Sequence, residues 1–205
     1  MKKYTYLILF VLLASVMAAG CASSDGSGVQ NVKTSENTKD NTPQAQTTPQ
    51  AQTTPAVKGS YENPASMGET VVLTSTGHTF EVSILDVIRC EKANYLVKSA
   101  NQFNDVPASG YEYLLVKAKV AYTEGKDPTD VSYLNFKAYG DGAEIPQPSV
   151  VYSNEFMKFD TGNLMQGGNK EGWIAFTVPQ GKKIVIAFQP NMFDEGTAYL
   201  SIGNL

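Results

Sequence analysis

The chain has 205 residues, and its 16 Lys and Arg residues against 20 Asp and Glu residues give a net charge of −4. A phosphate-binding surface needs clustered basic residues, whereas this chain has the single arginine Arg89 and scattered lysines. The composition therefore argues against a nucleic-acid partner, and the length suits one domain with a substantial core.

Residues 1–20 have the pattern of an export signal. Lys2 and Lys3 precede an apolar run from Tyr4 to Ala19. The run is about 16 residues long, shorter than the roughly 20 that a membrane-spanning helix needs. We predict a signal peptide over residues 1–20. Its removal leaves 14 basic and 20 acidic residues, a net charge of about −6.

Cys21 directly follows Ala19 and Gly20, and this arrangement resembles a lipobox. Ala18 stands at the third position before the cysteine, where leucine is commonest. The resemblance implies that a diacylglyceryl group is attached to Cys21, which becomes the first residue of the mature chain. Two acyl chains are enough for stable membrane attachment. We therefore expect a protein anchored by lipid to the cell membrane, facing outside the cytoplasm.

Two other interpretations of the N-terminus remain open. One is an uncleaved signal anchor, and the other is a secreted protein in which Cys21 pairs with Cys90. Pairing is disfavoured because Cys21 would begin a long flexible segment with nothing to hold it near a folded partner. Cys90 is then a lone thiol, which we expect to be buried rather than reactive.

Residues 21–59 are predicted to be a lipidated cysteine followed by a disordered Thr/Pro/Gln-rich stalk. Large apolar side chains are almost absent from 22–59, and TPQAQT occurs twice between Thr42 and Thr53. Such a segment cannot bury enough apolar surface to offset its ordering entropy.

Residues 60–205 show an apolar periodicity of two, which is typical of strands. Turn signals containing Gly, some with Pro or Asp, separate the segments, and no helix is predicted. In the segment 111–122, Leu114 and Val116 lie on the face expected to be buried, and Leu115 and Lys117 on the face expected to be largely wet. A β-bulge near Ile84 and Leu85 would realign the second segment. The pattern predicts an all-β antiparallel sandwich with strands at 70–75, 79–88, 111–122, 131–139, 172–178, 183–188 and 197–202.

Several motifs in this region resemble a known family. They are, in order, YENPASMGETVVL (61–73), GYEYLLVKAKVAY (110–122), VSYLNFKAYGDGAEI (131–145) and GGNKEGWIAFTVPQGKK (167–183). They resemble a domain of unknown function found in bacterial and archaeal lipoproteins, sometimes labelled telomeric repeat-binding factor 2. The resemblance covers about residues 59–190.

The resemblance implies an immunoglobulin-like sandwich, similar to that of a secreted mycobacterial immunoprotective antigen. The acidic, exported chain does not support the DNA function that the telomeric label implies. The chain also lacks the Cys pair packed on a Trp that pins true immunoglobulin domains, because the predicted domain holds one cysteine and Trp173 comes late. Apolar packing is therefore expected to hold the sheets together.

No residue pattern in the chain marks a catalytic or metal site. The single histidine, His78, follows a turn glycine and is expected to be an exposed turn residue. It has no second soft ligand nearby, so neither zinc nor another cofactor is predicted. Common hydrolase, phosphate-binding and calcium-binding motifs are missing from the sequence. The chain is not expected to be an enzyme.

Five side chains are candidates for a binding surface: Trp173, Phe103, Phe156, Met157 and Phe159. Trp173 alternates with Ile174 and Phe176, which predicts an outer-face position, although a loop or second layer could cover it. The segment 152–170 is long for a loop and carries apolar residues, although part of it could be another strand. Phe103 could be a rim contact or a plug for one end of the sandwich.

The leading hypothesis is a lipid-anchored surface module that binds a protein or an envelope component without catalysis. The alternatives are a structural envelope protein and, from a different class, a hydrolase of envelope glycans. Sandwich folds host many functions, so the hypothesis rests on location and fold.

Cys21 generates the first testable prediction. We expect the mature protein to begin at Cys21 and to carry the added mass of a diacylglyceryl group, as measured by intact-mass spectrometry of the membrane fraction. Cys21→Ala should leave an unprocessed precursor or release the protein from the membrane. A mature chain that begins at Ala22 would contradict the prediction.

Overall fold

A computed structural model of the chain describes residues 28–33 through their main chain, and residues 56–191 and 196–203 with their side chains. It shows an antiparallel β-sandwich, which confirms the predicted fold class. The predicted signal peptide, Cys21 and most of the predicted stalk lie outside the described residues.

Eleven strands and one helix occur in the described residues, with a short 3₁₀ helix at Tyr133–Asn135. In chain order they are β1 (Gly28–Lys33), β2 (Thr70–Ser75), β3 (His78–Ile88), α1 (Cys90–Ala100), β4 (Tyr111–Glu124), β5 (Thr129–Val131), β6 (Phe136–Gly140), β7 (Ala143–Ile145), β8 (Gly162–Leu164), β9 (Asn169–Pro179), β10 (Ile184–Phe188) and β11 (Ala198–Ser201).

Two sheets form the sandwich. The five-stranded sheet has the order β1-β2-β3-β4-β9, the four-stranded sheet has the order β11-β10-β6-β7, and β5 pairs with β8 at the side. The predicted bulge is present, since the β3–β4 register shifts between Ile84 and Asp86 and leaves Leu85 exposed. The main core includes the alternating residues Leu73, Phe80, Leu114, Val116, Phe176, Ile186 and Phe188.

The strand β1 corrects part of the stalk prediction. Residues 28–33 pair antiparallel with β2, from Gly28 opposite Thr74 to Lys33 opposite Thr70. The sequence GVQNVK contains two β-branched valines, and β2 would otherwise leave an open sheet edge that a further strand can pair with. The prediction of disorder rested on the low apolar content of 22–59 as a whole, which does not report on a strand of six residues.

The helix α1 corrects the prediction that no helix occurs. It lies on the outer face of the five-stranded sheet, where a second cluster of buried side chains forms from Ala93, Val97, Tyr113, Leu115, Phe156, Trp173 and Ala175. Leu115, predicted on a largely wet face, is therefore fully buried. No helix in residues 56–191 or 196–203 is long and apolar enough to cross a membrane.

Four polar contacts fix α1 and the loop after it onto the sandwich. Next to the start of the helix, Arg89 Nη2 lies 2.6 Å from Glu112 Oε1, and both side chains are almost completely buried. The Asn94 Oδ1 atom accepts a 2.8 Å hydrogen bond from the Tyr113 N–H. Beyond the helix, the buried Asn104 amide donates to the Val97 and Val151 carbonyls at 2.7 and 2.9 Å. The helix is thus held at its start, its middle and its end.

The buried ion pair generates a stability prediction. Glu112→Ala leaves the Arg89 guanidinium buried without its carboxylate, so we expect the free energy of unfolding to fall by about 3–5 kcal/mol. Glu144→Ala is the matched control, because it breaks the exposed Lys137–Glu144 pair and should cost at most about 1 kcal/mol. Denaturant unfolding followed by circular dichroism measures both values. Equal small losses would show that the pair does not secure α1.

Candidate functional site

An open groove lies between the edges of the two sheets. Its volume is about 560 Å³, within the range of ligand pockets, and its lining surface is mostly apolar. One wall comes from β7 and the chain that follows it, and the other from the end of β9. The lining includes Tyr111, Ile145, Pro146, Pro148, Thr177 and Pro179.

The β7 wall exists because a tight hairpin turns the chain back along β6. Gly140 and Ala143 are paired across a two-residue turn in which Asp141 and Gly142 have φ of +50° and +81°. Both central residues of such a turn need positive φ, which Gly adopts freely and Asp tolerates. The chain then continues as IPQP, residues 145–148, along the groove.

The charges at the groove neutralise one another. Lys182 Nζ lies 3.0 Å from Asp141 Oδ2, and Lys137 Nζ lies 3.2 Å from Glu144 Oε2. Each carboxylate that lines the groove therefore has a lysine partner. The groove is therefore mostly apolar with its charges paired, and it offers no unpaired charge to a strongly charged ligand.

Beside the groove, residues 152–159 cross the edge of the five-stranded sheet, and we call them the crossing segment. Phe156 is buried in the outer cluster under α1, whereas Phe159 is buried in the main core. The crossing passes so close to β9 that a Cβ atom at Gly172 would collide with the backbone of Phe159. Glycine at position 172 is therefore required by the close approach of two backbones.

The crossing segment closes part of the β9 edge by hydrogen bonds. The Trp173 N–H donates to the Met157 carbonyl, and the Trp173 carbonyl accepts from the Phe159 N–H, both at 2.9 Å. The Ala175 N–H then donates to the Tyr152 hydroxyl at 3.0 Å. Burial raises the pKa of Tyr152 to about 12, so the phenol stays protonated at neutral pH.

The structure does not bring the five predicted binding residues together. Phe156 and Phe159 are core residues, so they are not available to a partner. Trp173 lies on the predicted outer face, but the second layer covers it and leaves it 9% exposed. Phe103 and Met157 are exposed by 82% and 67%, so Phe103 is not a plug for the sandwich. Neither of them lines the groove.

Sequence reasoning missed the residues of the groove, although one signal for it exists. Pro146 and Pro148 are two residues apart, and Pro179 ends β9. A proline cannot donate to a strand ladder, so prolines at alternate positions indicate a sheet edge whose outward groups are not all paired. Periodicity identifies Tyr111 only as the start of a strand, because the groove that it lines also needs residues 145–148 beyond the other sheet edge.

The two residues with the most reactive side chains, His78 and Cys90, each interact with another side chain of the protein. His78, predicted as an exposed turn residue, is instead half-buried at the start of β3, with Nδ1 2.9 Å from the Tyr122 hydroxyl. Cys90 is exposed rather than buried, because it lies at the start of α1 with φ +56°. Its hydrogen bond to the Glu112 carboxylate raises the pKa of the Cys90 thiol and disfavours the nucleophilic thiolate.

No group of three or more His, Cys, Asp or Glu residues that could hold a metal ion occurs in the described part of the chain.

A sequence comparison matches residues 74–198 to one family, described as a domain of unknown function (DUF4352). No curated protein matches at a significant level. Among solved structures, ycdA, a candidate lipoprotein of Bacillus subtilis, is 18% identical with a TM-score of 0.49 over 64% of this chain. The match covers only 39% of ycdA.

Two other solved structures are similar over most of their length. The yjhA protein of Bacillus subtilis is 15% identical with a TM-score of 0.47, over 67% of this chain and 98% of yjhA. The secreted protein MPT63 of Mycobacterium tuberculosis is 16% identical with a TM-score of 0.47, over 67% of this chain and 97% of MPT63.

The buried phenol of Tyr152 generates a pH prediction. Its pKa in the folded protein, about 12, lies above the roughly 10 of an unfolded chain. The folded state therefore holds this proton more tightly, and the resulting stability is complete below about pH 10 and is lost as the pH rises towards 12. We expect ultraviolet titration of Tyr152→Phe to lack a component near pH 12 that the wild type shows. Tyr95→Phe, at a position 72% exposed, is the control and should retain that component.

Proposed function

The chain belongs to the DUF4352 family of domains of unknown function through residues 74–198, and on this premise we propose that it is a lipid-anchored binding module of the cell surface. In this proposal Cys21 carries the lipid and holds the protein on the membrane. The domain then faces outside the cytoplasm and binds a protein or an envelope component without catalysis. Membership of this family agrees with the resemblance predicted from the sequence motifs.

The apolar groove is the observation that carries the proposal. A soluble domain normally buries apolar surface, yet this groove keeps about 560 Å³ of mostly apolar space open at the junction of two sheet edges. Tyr111 stands at its wall with 44% of its surface exposed. An amphipathic ring in this position offers a large contact area at a small cost in side-chain entropy.

The engagement of the reactive side chains supports binding rather than catalysis. Arg89, the only arginine, forms a nearly completely buried ion pair with Glu112. Cys90 has a thiol whose pKa is raised, and the imidazole of His78 lies against the core residue Tyr122. None of the three lines the groove. The groove itself presents a tyrosine ring, prolines and paired charges.

The acidic charge of the chain supports a partner other than nucleic acid. The net charge of −4 and the burial of the single arginine leave no cluster of guanidinium groups for phosphates. The neutral groove extends this argument from the whole chain to the site.

Capture of partners from membranes tests the proposed function. The full-length lipoprotein, purified in detergent, should retain proteins or envelope polymers from solubilised membranes of the same cells. Tyr111→Ala should weaken retention of the specific partner by about 1 kcal/mol or more, roughly fivefold, because an anchor ring in the groove is lost. Tyr95→Ala, also an exposed tyrosine, is the matched control and should leave retention unchanged.

The same experiment examines the two exposed residues predicted from the sequence. Phe103→Ala and Met157→Ala should not weaken capture if the groove is the contact surface. Loss of capture with either variant, and none with Tyr111→Ala, would move the site to the outer layer. Melting temperatures of all four variants separate lost contacts from lost folding.

A further inference from the structure

We infer that the groove binds an extended polypeptide segment of a partner protein, which adds as a short antiparallel strand to β9 at Thr177. This inference rests on the proposed function and specifies the chemistry of the partner. It follows from the direction of the main-chain groups along β9, from the positions of the prolines and from the neutrality of the groove.

The hydrogen bonds of β9 show which of its main-chain groups point out of the sheet. Trp173 uses both its N–H and its C=O for the crossing segment rather than for β4. In an antiparallel strand this direction recurs at every second residue, so Ala175, Thr177 and Pro179 also point outward. A second contact supports this direction. Tyr113 lies opposite Thr177 on β4, and its N–H donates to Asn94 rather than to β9, so the two residues do not form a hydrogen-bonded pair.

The outward groups are covered only as far as Ala175. In the described residues, the crossing segment forms hydrogen bonds with the N–H and C=O of Trp173, and the Tyr152 hydroxyl accepts a hydrogen bond from the Ala175 N–H. The next outward position is Thr177, which is half-buried and lines the groove. Its N–H and C=O therefore point into the groove, where one residue of an antiparallel strand can satisfy both.

The other wall of the groove is also a sheet edge. The Gly140–Ala143 pair closes the two-residue hairpin, so the next pair, Tyr139 and Glu144, points its main-chain groups away from the β6–β7 ladder. Glu144 thus faces the groove side, and the outward position that follows it is Pro146. An extended segment would lie between two edges and meet polar main-chain groups on both sides.

Prolines limit how long the added strand can be. Pro179 follows Thr177 at the next outward position of β9, and Pro146 follows Glu144 by two residues, directly after the end of β7. Neither has an N–H to donate, so continuous pairing stops after a few residues. Edge prolines also protect sheets from unlimited pairing between copies. The geometry therefore favours a short segment over a second copy of the chain.

Side-chain direction and charge specify the residues of the segment. Thr177 shares the outer face with Trp173, whereas Phe176 and Val178 face the main core. In the added strand, the residue opposite Thr177 would share its face, and the two flanking side chains would point towards Ile145. Because the lysines and carboxylates at the groove are paired with each other, these flanking residues are uncharged and apolar.

The probe is the pentapeptide acetyl-Ser-Val-Thr-Val-Ser-amide with a fluorophore on an added terminal lysine. Binding to the full-length protein in detergent micelles is followed by fluorescence anisotropy, with empty micelles as the blank. We expect saturable binding with a dissociation constant below about 5 mM, as for a short peptide with few anchor residues. The same peptide with an N-methyl group on its threonine should bind at least about tenfold more weakly, because its central donor is removed.

The protein variants test the same bonds from the other side. Thr177→Pro removes an N–H that is not part of the β4–β9 ladder, and it should weaken binding at least about tenfold. Thr177→Val keeps the N–H and the branched shape, and it should bind within about threefold of the wild type. If Thr177→Pro lowers the melting temperature, the N-methylated peptide still decides the question on the unchanged protein.

The outcomes separate this inference from the proposed function. Equal binding of the N-methylated and unmodified peptides, or no binding of either, overturns strand addition. If partner capture still depends on Tyr111 in that case, the groove binds a partner by other contacts and the proposed function stands. If capture is also insensitive to Tyr111, both proposals fail.

Discussion

The five-stranded sheet is buried on both faces over part of β4 and β9, and this double burial organises the molecule. One face carries Leu114, Val116 and Phe176 into the main core, and the other carries Leu115 and Trp173 under α1. A sheet covered on both sides needs a second layer, which the helix and the crossing segment supply. The buried Arg89–Glu112 pair holds that layer in place, because an unpaired charge there would be costly.

The second layer explains why the groove lies where it does. The helix and the crossing segment cover the outer face and the β9 edge around Trp173, so these surfaces are buried within the protein. The end of β9 lies beyond the reach of the crossing segment and meets the short edge strand β7, and the groove forms there. The groove is thus the remaining gap between two sheets rather than a set of side chains projecting from one element. Residues from distant parts of the sequence meet there.

Sequence periodicity was sufficient for β2, β3, β4, β9, β10 and β11 and for the inner face of the sandwich, because alternation reports directly on one-sided burial. It missed β1, β5 and β7, and it predicted one strand over 131–139, where the 3₁₀ helix at Tyr133–Asn135 precedes β6. It failed for α1, although Ala93, Leu96, Val97 and Ala100 recur with helical spacing, because an 11-residue helix among strong strand patterns gives a weak signal. It placed Trp173 correctly on the outer face but left open whether a loop or second layer covers the ring, since alternation cannot show whether a face is covered. The groove depends on two edges meeting, which no local pattern encodes.

The crossing at Gly172 has a genetic consequence. Phe156 and Phe159 lie on opposite sides of the sheet, and only three peptide steps separate their anchoring points. Any amino-acid substitution at position 172 adds a Cβ atom that would collide with the Phe159 backbone. A codon gained or lost between positions 156 and 159 would prevent both rings from reaching their layers together. The fold therefore constrains the chain length between these two rings as well as the residue types, whereas the turns at the sandwich ends can absorb changes in length.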